Sequence, residues 1–106
     1  MPQVKHVVLM RIKQETSPEA VEDIFNSLDS LREKIPGLLD FSGGTYSSSE
    51  GLSQGFTHGF VMTFADESSR DAYLPHPEHD MVKGKIVAEL EGGIDGVVAF
   101  DWLAQS

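Results

Sequence analysis

Four histidines and one tyrosine carry the chemistry open to this sequence: His6, His58, Tyr73, His76 and His79. Three of them crowd into Tyr73-Leu74-Pro75-His76-Pro77-Glu78-His79. Pro77 suits the first position of a helix, which puts His79 in the first turn. There the helix dipole favours a neutral imidazole, and a neutral imidazole can accept a proton. Glu78 and Asp80 push the other way, toward the cation. The plainer alternatives are that His76 caps the helix, His79 lies on the surface and Tyr73 is a packing residue with a wetted hydroxyl. His6 and His58 each stand near the start of a strand with an apolar stripe. Singly, either reads as a buried histidine satisfied by one hydrogen bond. Together, on strands expected to be parallel neighbours, they mark a polar spot in an apolar cavity.

Other chemistries find little support. The chain has no cysteine, hence no thiolate nucleophile, disulfide or cysteine metal site. His76 and His79 have a spacing that a metal accepts, but no acidic ligand pairs with them, so no metal site is expected. Gly43-Gly44 and Gly92-Gly93 do not make a phosphate-cradling loop, and no serine sits in a recognisable nucleophile elbow. No cofactor is expected.

The elements that must position these residues follow from periodicity. Val4–Ile12 alternates as a strand, with His6, Val8, Met10 and Ile12 on one face and Lys5, Val7, Leu9 and Arg11 on the other. Ser17-Pro18-Glu19 opens a helix carrying Val21, Ile24, Phe25, Leu28 and Leu31, which runs to about Lys34 and stops at Pro36-Gly37. A weaker strand spans Leu38–Tyr46, and a polar loop covers Ser47–Gln54. Phe56–Phe64 is a clear strand showing His58, Phe60, Met62 and Phe64 on one face. Asp66 caps a short helix ending at Tyr73. A second helix opens at Pro77 with a stripe of Met81, Val82, Ile86, Val87 and Leu90, and ends at Gly92-Gly93. Gly96–Trp102 is the last strand.

This order gives an α+β fold: a ferredoxin-like split βαβ unit, with helices on one face of a four-stranded antiparallel sheet. The bare face carries Val7, Leu9 and Val61, too apolar for open water, so two sheets are expected to pack together as a homodimer, a dimeric α/β barrel. A length of 106 residues makes a single domain over 1–106. With 8 basic against 17 acidic residues the net charge is −9. That balance argues against nucleic acid and against anionic membrane surfaces as partners. No apolar run approaches the ~20 residues of a membrane span. The opening MPQVKHVVLMRIK ends in charges rather than a cleavage site, and a cytoplasmic location is expected.

Four segments resemble the Dabb family, the stress-responsive dimeric α/β-barrel proteins. They are Val4-Lys5-His6-Val7-Val8-Leu9, Gly55-Phe56-Thr57-His58 before Thr63-Phe64, Tyr73-x-x-His76-Pro77-x-His79, and Phe100-Asp101-Trp102. The resemblance implies the ferredoxin-like unit, paired through its sheets. Over residues 3–80 the chain is similar to a plant polyketide cyclase of that family, which cyclises a linear thioester by aldol chemistry. This implies Tyr73 and His79 as catalytic residues and His6, His58 and His76 as cavity residues, with Leu28 and Phe60 shaping the space. Leu28 stands where the cyclase has a cavity tyrosine, and Gly43 where it has an entrance aromatic. Residues 92–96 resemble an insertion, so a different substrate is implied. Some plant members hold a divalent metal after the first helix, here near Glu33–Gly37.

Two functions compete on these grounds. One is an enzyme or binder of a small carbonyl or polyketide-like molecule, of cyclase or lyase type, with His79 as general base and Tyr73 steadying an enolate. The other is a non-enzymatic homodimeric stress protein with structural histidines. A cofactor-free monooxygenase of the related barrel superfamily is the third alternative.

Overall fold

The computed structural model describes residues 2–104. In chain order the elements are β1 (Val4–Met10), α1 (Pro18–Ser30), β2 (Leu38–Thr45), β3 (His58–Phe64), α2 (Glu67–Tyr73), α3 (Pro77–Ala88) and β4 (Val97–Leu103). Short 3₁₀ turns at Leu31–Glu33 and Gly93–Gly96 follow α1 and precede β4. The sheet order is β2-β3-β1-β4. This is the ferredoxin-like arrangement, and every neighbouring pair in it is antiparallel.

One expectation fails here. β1 and β3 are adjacent but antiparallel, because the chain reverses between β2 and β3 and β3 then inserts between β1 and β2. His6 therefore faces Met62, and His58 faces Met10. Four residues of β1 separate the two positions, about 13 Å at the ~3.3 Å rise of a strand. The two histidines do not share a site.

The inward faces expected for β1 and β3 hold. Val4, His6, Val8 and Met10 of β1 are buried with Phe60, Met62 and Phe64 of β3. Ile24 and Leu28 of α1, Tyr73 of α2, and Val82 and Ile86 of α3 complete that core. Ser17 caps α1 by accepting the Ala20 N–H at 3.1 Å, and Asp66 caps α2 by accepting the Ser69 N–H at 2.8 Å. Both are short polar side chains satisfying first-turn donors. At Gly37 the backbone turns at φ 85°, and a Cβ there would strike the Ser69 side chain.

α3 ends at Ala88, short of the expected Gly92-Gly93. Backbone pairing across the sheet end explains the difference. Lys13 N–H donates to the Glu89 carbonyl and Glu91 N–H to the Arg11 carbonyl, both at 2.8 Å, drawing residues 89–91 out of the helix. Leu90 is buried in that bridge with Ile12 rather than on the helix stripe. Met81, expected on the stripe, is 68% exposed. The buried row steps through Val82 and Ile86 instead, with Val87 half-buried beside it. Gly96 falls in the 3₁₀ turn, so β4 starts one residue later than expected and runs through Leu103.

Candidate functional site

A cavity of about 220 Å³ opens between the sheet and the helices. Its wall is largely apolar, with Leu28 from α1, Phe60 from β3, and Val82 and Ile86 from α3. Three of the expected polar residues converge on it: His6, Tyr73 and His79. They reach it from β1, from the last residue of α2 and from the first turn of α3. The Pro75–Pro77 turn between those helices brings Tyr73 and His79 together, with ring centroids 4.2 Å apart at 35°.

Each ring is held in one role. His79 Nδ1 donates to the Leu74 carbonyl at 2.9 Å, so the neutral ring carries its lone pair on Nε2. Burial lowers the His79 pKa below 6.5, and nearby Lys83 adds to that. The Leu74 carbonyl and Asp80 act in the opposite sense and are outweighed. Neutral imidazole is the resting form, and burial, more than the neighbouring charges, decides it. Tyr73 is 1% exposed, with its ring against Phe64 and His6. Burial pushes its phenol well above the ordinary 10.0, so it stays protonated and can only donate or weakly accept.

His6 is 6% exposed. Its Nδ1 lies 2.7 Å from Asp101 Oδ1, directly across the β1–β4 pairing. Arg70 Nη1 of α2 donates to the other Asp101 oxygen at 2.8 Å. A carboxylate accepts only, so the His6 Nδ1–H donates and the neutral ring keeps Nε2 as its acceptor. The Arg70–Asp101–His6 chain thus fixes one wall of the cavity.

The remaining expected residues lie elsewhere. His58 Nδ1 is hydrogen-bonded to Thr57 Oγ1 at 2.8 Å, and the ring lines two more open hollows beyond the far end of β1. His76 caps α3, its Nδ1 accepting the Glu78 N–H at 3.1 Å, and it does not line the cavity. Gly43 borders one of the outer hollows rather than the cavity. A Cβ there would come within 2.7 Å of Phe60 Cβ, 2.8 Å of Phe25 Cε1 and 2.9 Å of the Gly59 carbonyl oxygen, so the position has no room for a side chain unless its neighbours shift. Among the described residues no cluster of three His, Asp or Glu side chains is arranged to hold a metal, near Glu33–Gly37 or elsewhere.

Sequence reasoning missed Asp101, Arg70 and Lys83. Asp101 had a signal: it shares the core-facing alternation of β4 with Val97 and Ala99, and a carboxylate on that face needs a partner. Lys83 lies four residues beyond His79, on the same helix face.

The model of Dabb, the stress responsive A/B barrel domain, matches residues 4–104. Stress-response A/B barrel domain-containing protein HS1 of Arabidopsis thaliana is 32% identical over 99 residues, covering 93% of this chain and 87% of that protein. Olivetolic acid cyclase of Cannabis sativa is 28% identical over 76 residues, 72% of this chain and 75% of the cyclase. A dimeric ferredoxin-like protein of unknown function from Jannaschia sp. CCS1 superposes with a TM-score of 0.87 at 30% identity, over 96% of this chain and 99% of that one.

Proposed function

The chain belongs to the stress-responsive A/B barrel domain family, and on that premise we propose that it binds and converts a small carbonyl compound in the cavity between helices and sheet. The observation that carries the reading is the Tyr73–His79 pair at the cavity wall, with His79 Nδ1 tied to the Leu74 carbonyl. That bond leaves Nε2 as a base, and Tyr73 as a neutral O–H donor beside it. His79 Nε2 takes a proton from the carbon next to the carbonyl. The electron pair of that C–H bond moves toward the carbonyl oxygen, which becomes an enolate held by the Tyr73 O–H. The enolate then attacks an electrophilic carbon or is reprotonated, and His79 returns its proton to the product. The similarity to olivetolic acid cyclase supports this class of chemistry. Leu28 in the wall argues for a different substrate.

The working unit is a homodimer formed through the outer sheet face. Val7, Leu9 and Val61 lie on that face, and β4 adds Val98, Phe100 and Trp102 beside them. Phe100 is 65% exposed and Trp102 48% in the single chain, a cost that a second sheet removes. The dimeric description of the Jannaschia protein supports the same assembly.

A second reading, a stress protein with structural histidines, draws on His58 and His76, whose Nδ1 atoms are engaged by Thr57 and the Glu78 N–H. Solvent exchange separates the two. A panel of β-keto thioesters and simple ketones in D2O, followed by proton NMR, should show exchange next to the carbonyl above the protein-free rate with the unmodified chain, and only the protein-free rate with His79→Ala. Absence of exchange above that rate and of binding across the panel selects the structural reading.

A further inference from the structure

Lys83 lines the same cavity, one turn along α3 from His79. It differs from every other basic side chain of the protein. Lys5 donates to Thr63, Arg11 to the Gln54 carbonyl and Lys13 to the Ala88 carbonyl. Arg32, Lys34, Arg70 and Lys85 each reach a carboxylate. Among the lysines and arginines, all of which lie in the described residues, Lys83 alone has neither a hydrogen bond nor an ion pair to another described residue. The chain holds 17 acidic residues against 8 basic ones, so carboxylates are not scarce. Among the described residues Lys83 is the one unpartnered ammonium, and it stands beside an apolar cavity.

The other polar groups there are uncharged in their resting forms or already paired. His79 and Tyr73 are neutral, and His6 is matched by Asp101. Lys83 is therefore the one unmatched full charge on the wall. It is exposed along the helix, so an anion bound to it stays in part hydrated and avoids the cost of burying a charge. We infer that Lys83 is the anion-binding end of the cavity, and that the ligand is a small apolar carbonyl compound bearing a carboxylate. The carboxylate sits at the ammonium, and the carbonyl lies toward Tyr73 and His79. This rests on the cavity being the binding site, as proposed above, and adds the charge of the substrate. It also has a consequence for catalysis. Lys83 helps to hold His79 below its ordinary pKa, so a bound carboxylate that offsets Lys83 makes His79 a stronger base once the ligand is in place.

The test is an NMR titration of the full chain with 5-oxohexanoate and with its methyl ester, which differ in charge and share the ketone. Both should shift the backbone amides of Leu28, Tyr73, Leu74, His76, Glu78 and His79. Lys83→Met should weaken 5-oxohexanoate about tenfold, equivalent to about 1.4 kcal/mol, and leave the ester unchanged; Lys83→Arg should restore most of the loss. Saturating 5-oxohexanoate should also raise the His79 pKa in the unmodified chain, and raise it less in Lys83→Met. Met is a good helix former at an exposed position, so the fold is kept. Equal affinity of 5-oxohexanoate for the unmodified chain and Lys83→Met overturns the anion site. So does binding of the ester without the acid, and in that case the cavity reading stands. If neither compound shifts those amides, both the cavity reading and the anion site fall.

Discussion

Burial of both rings, and one hydrogen bond at His79, give Tyr73 and His79 different jobs although they share a wall. His79 has its Nδ1 proton committed to Leu74 and its pKa lowered, which suits a base; Tyr73 is kept protonated, which suits a donor. Groups that act on one transition state lose their effect together. Tyr73→Phe and His79→Ala should each reduce turnover by about 10²–10⁴-fold, roughly 3–5 kcal/mol of barrier. The double variant should lose little more than either single one, with melting nearly unchanged; a multiplicative loss would argue for independent roles. The pH profile follows from the same shifts. Activity should rise through an apparent pKa below 6.5 as His79 loses its proton, then stay level past pH 10.0, because Tyr73 does not ionise there. Stability carries a related dependence. Burial lowers both His58 and His79, so the unfolded chain takes up their protons first as pH falls. Their contribution is whole above 6.5 and is lost as pH drops through the folded values. Chemical denaturation at pH 7 and pH 5 should show the decline, and its reduction in His79→Ala.

Between elements, the decisive contact joins α2, β4 and β1. Arg70, Asp101 and His6 come from three separate segments and meet through one carboxylate. Its two oxygens accept from a guanidinium and an imidazole, so removing it leaves two donors short of a partner. Asp101→Ala should destabilise the fold by about 1–3 kcal/mol, the usual cost of stranding part-buried polar groups. It should also free the His6 ring to change tautomer, which nitrogen-15 chemical shifts of the imidazole would report. A ring still fixed with its proton on Nδ1 would show that Asp101 does not set it. The caps belong to this scale as well. Ser17 starts the helix that delivers Leu28, and Asp66 starts the short one that delivers Tyr73.

For the molecule as a whole, the two faces of the sheet have separate tasks. The inner face supports the cavity; the outer one shows Val98, Phe100 and Trp102 beside Val7 and Leu9. Leu9→Glu would place a carboxylate in the proposed sheet-to-sheet contact, where an unpaired charge is costly. The dimer dissociation constant should rise roughly a hundredfold or more, about 2.7 kcal/mol. Sedimentation velocity would read this directly. A stable monomer for the unmodified chain, or an unaffected variant, would refute the assembly. Among the described residues no helix is long and apolar enough to cross a membrane.

Local pattern alone determined most of the scaffold: the element order, the caps at Ser17 and Asp66, and the inward faces of β1 and β3. These features repeat every 2 or 3.6 residues, or depend on a side chain reaching its own backbone, so they are written within a few neighbouring positions. The pairing of Tyr73 with His79 came from the resemblance to the family; the two-proline turn that brings their rings together is a feature of the structure. Tertiary structure decided what lies between segments far apart in the chain. The antiparallel register of β1 with β3 put His58 outside the cavity that His6 enters. Backbone pairing of residues 11–13 with 89–91 ended α3 early, against the glycine signal. Asp101 met His6, 95 residues away, across β4. Strand pairing direction and register are settled by where the whole chain can close its core, and alternation within one strand reads the same in either direction.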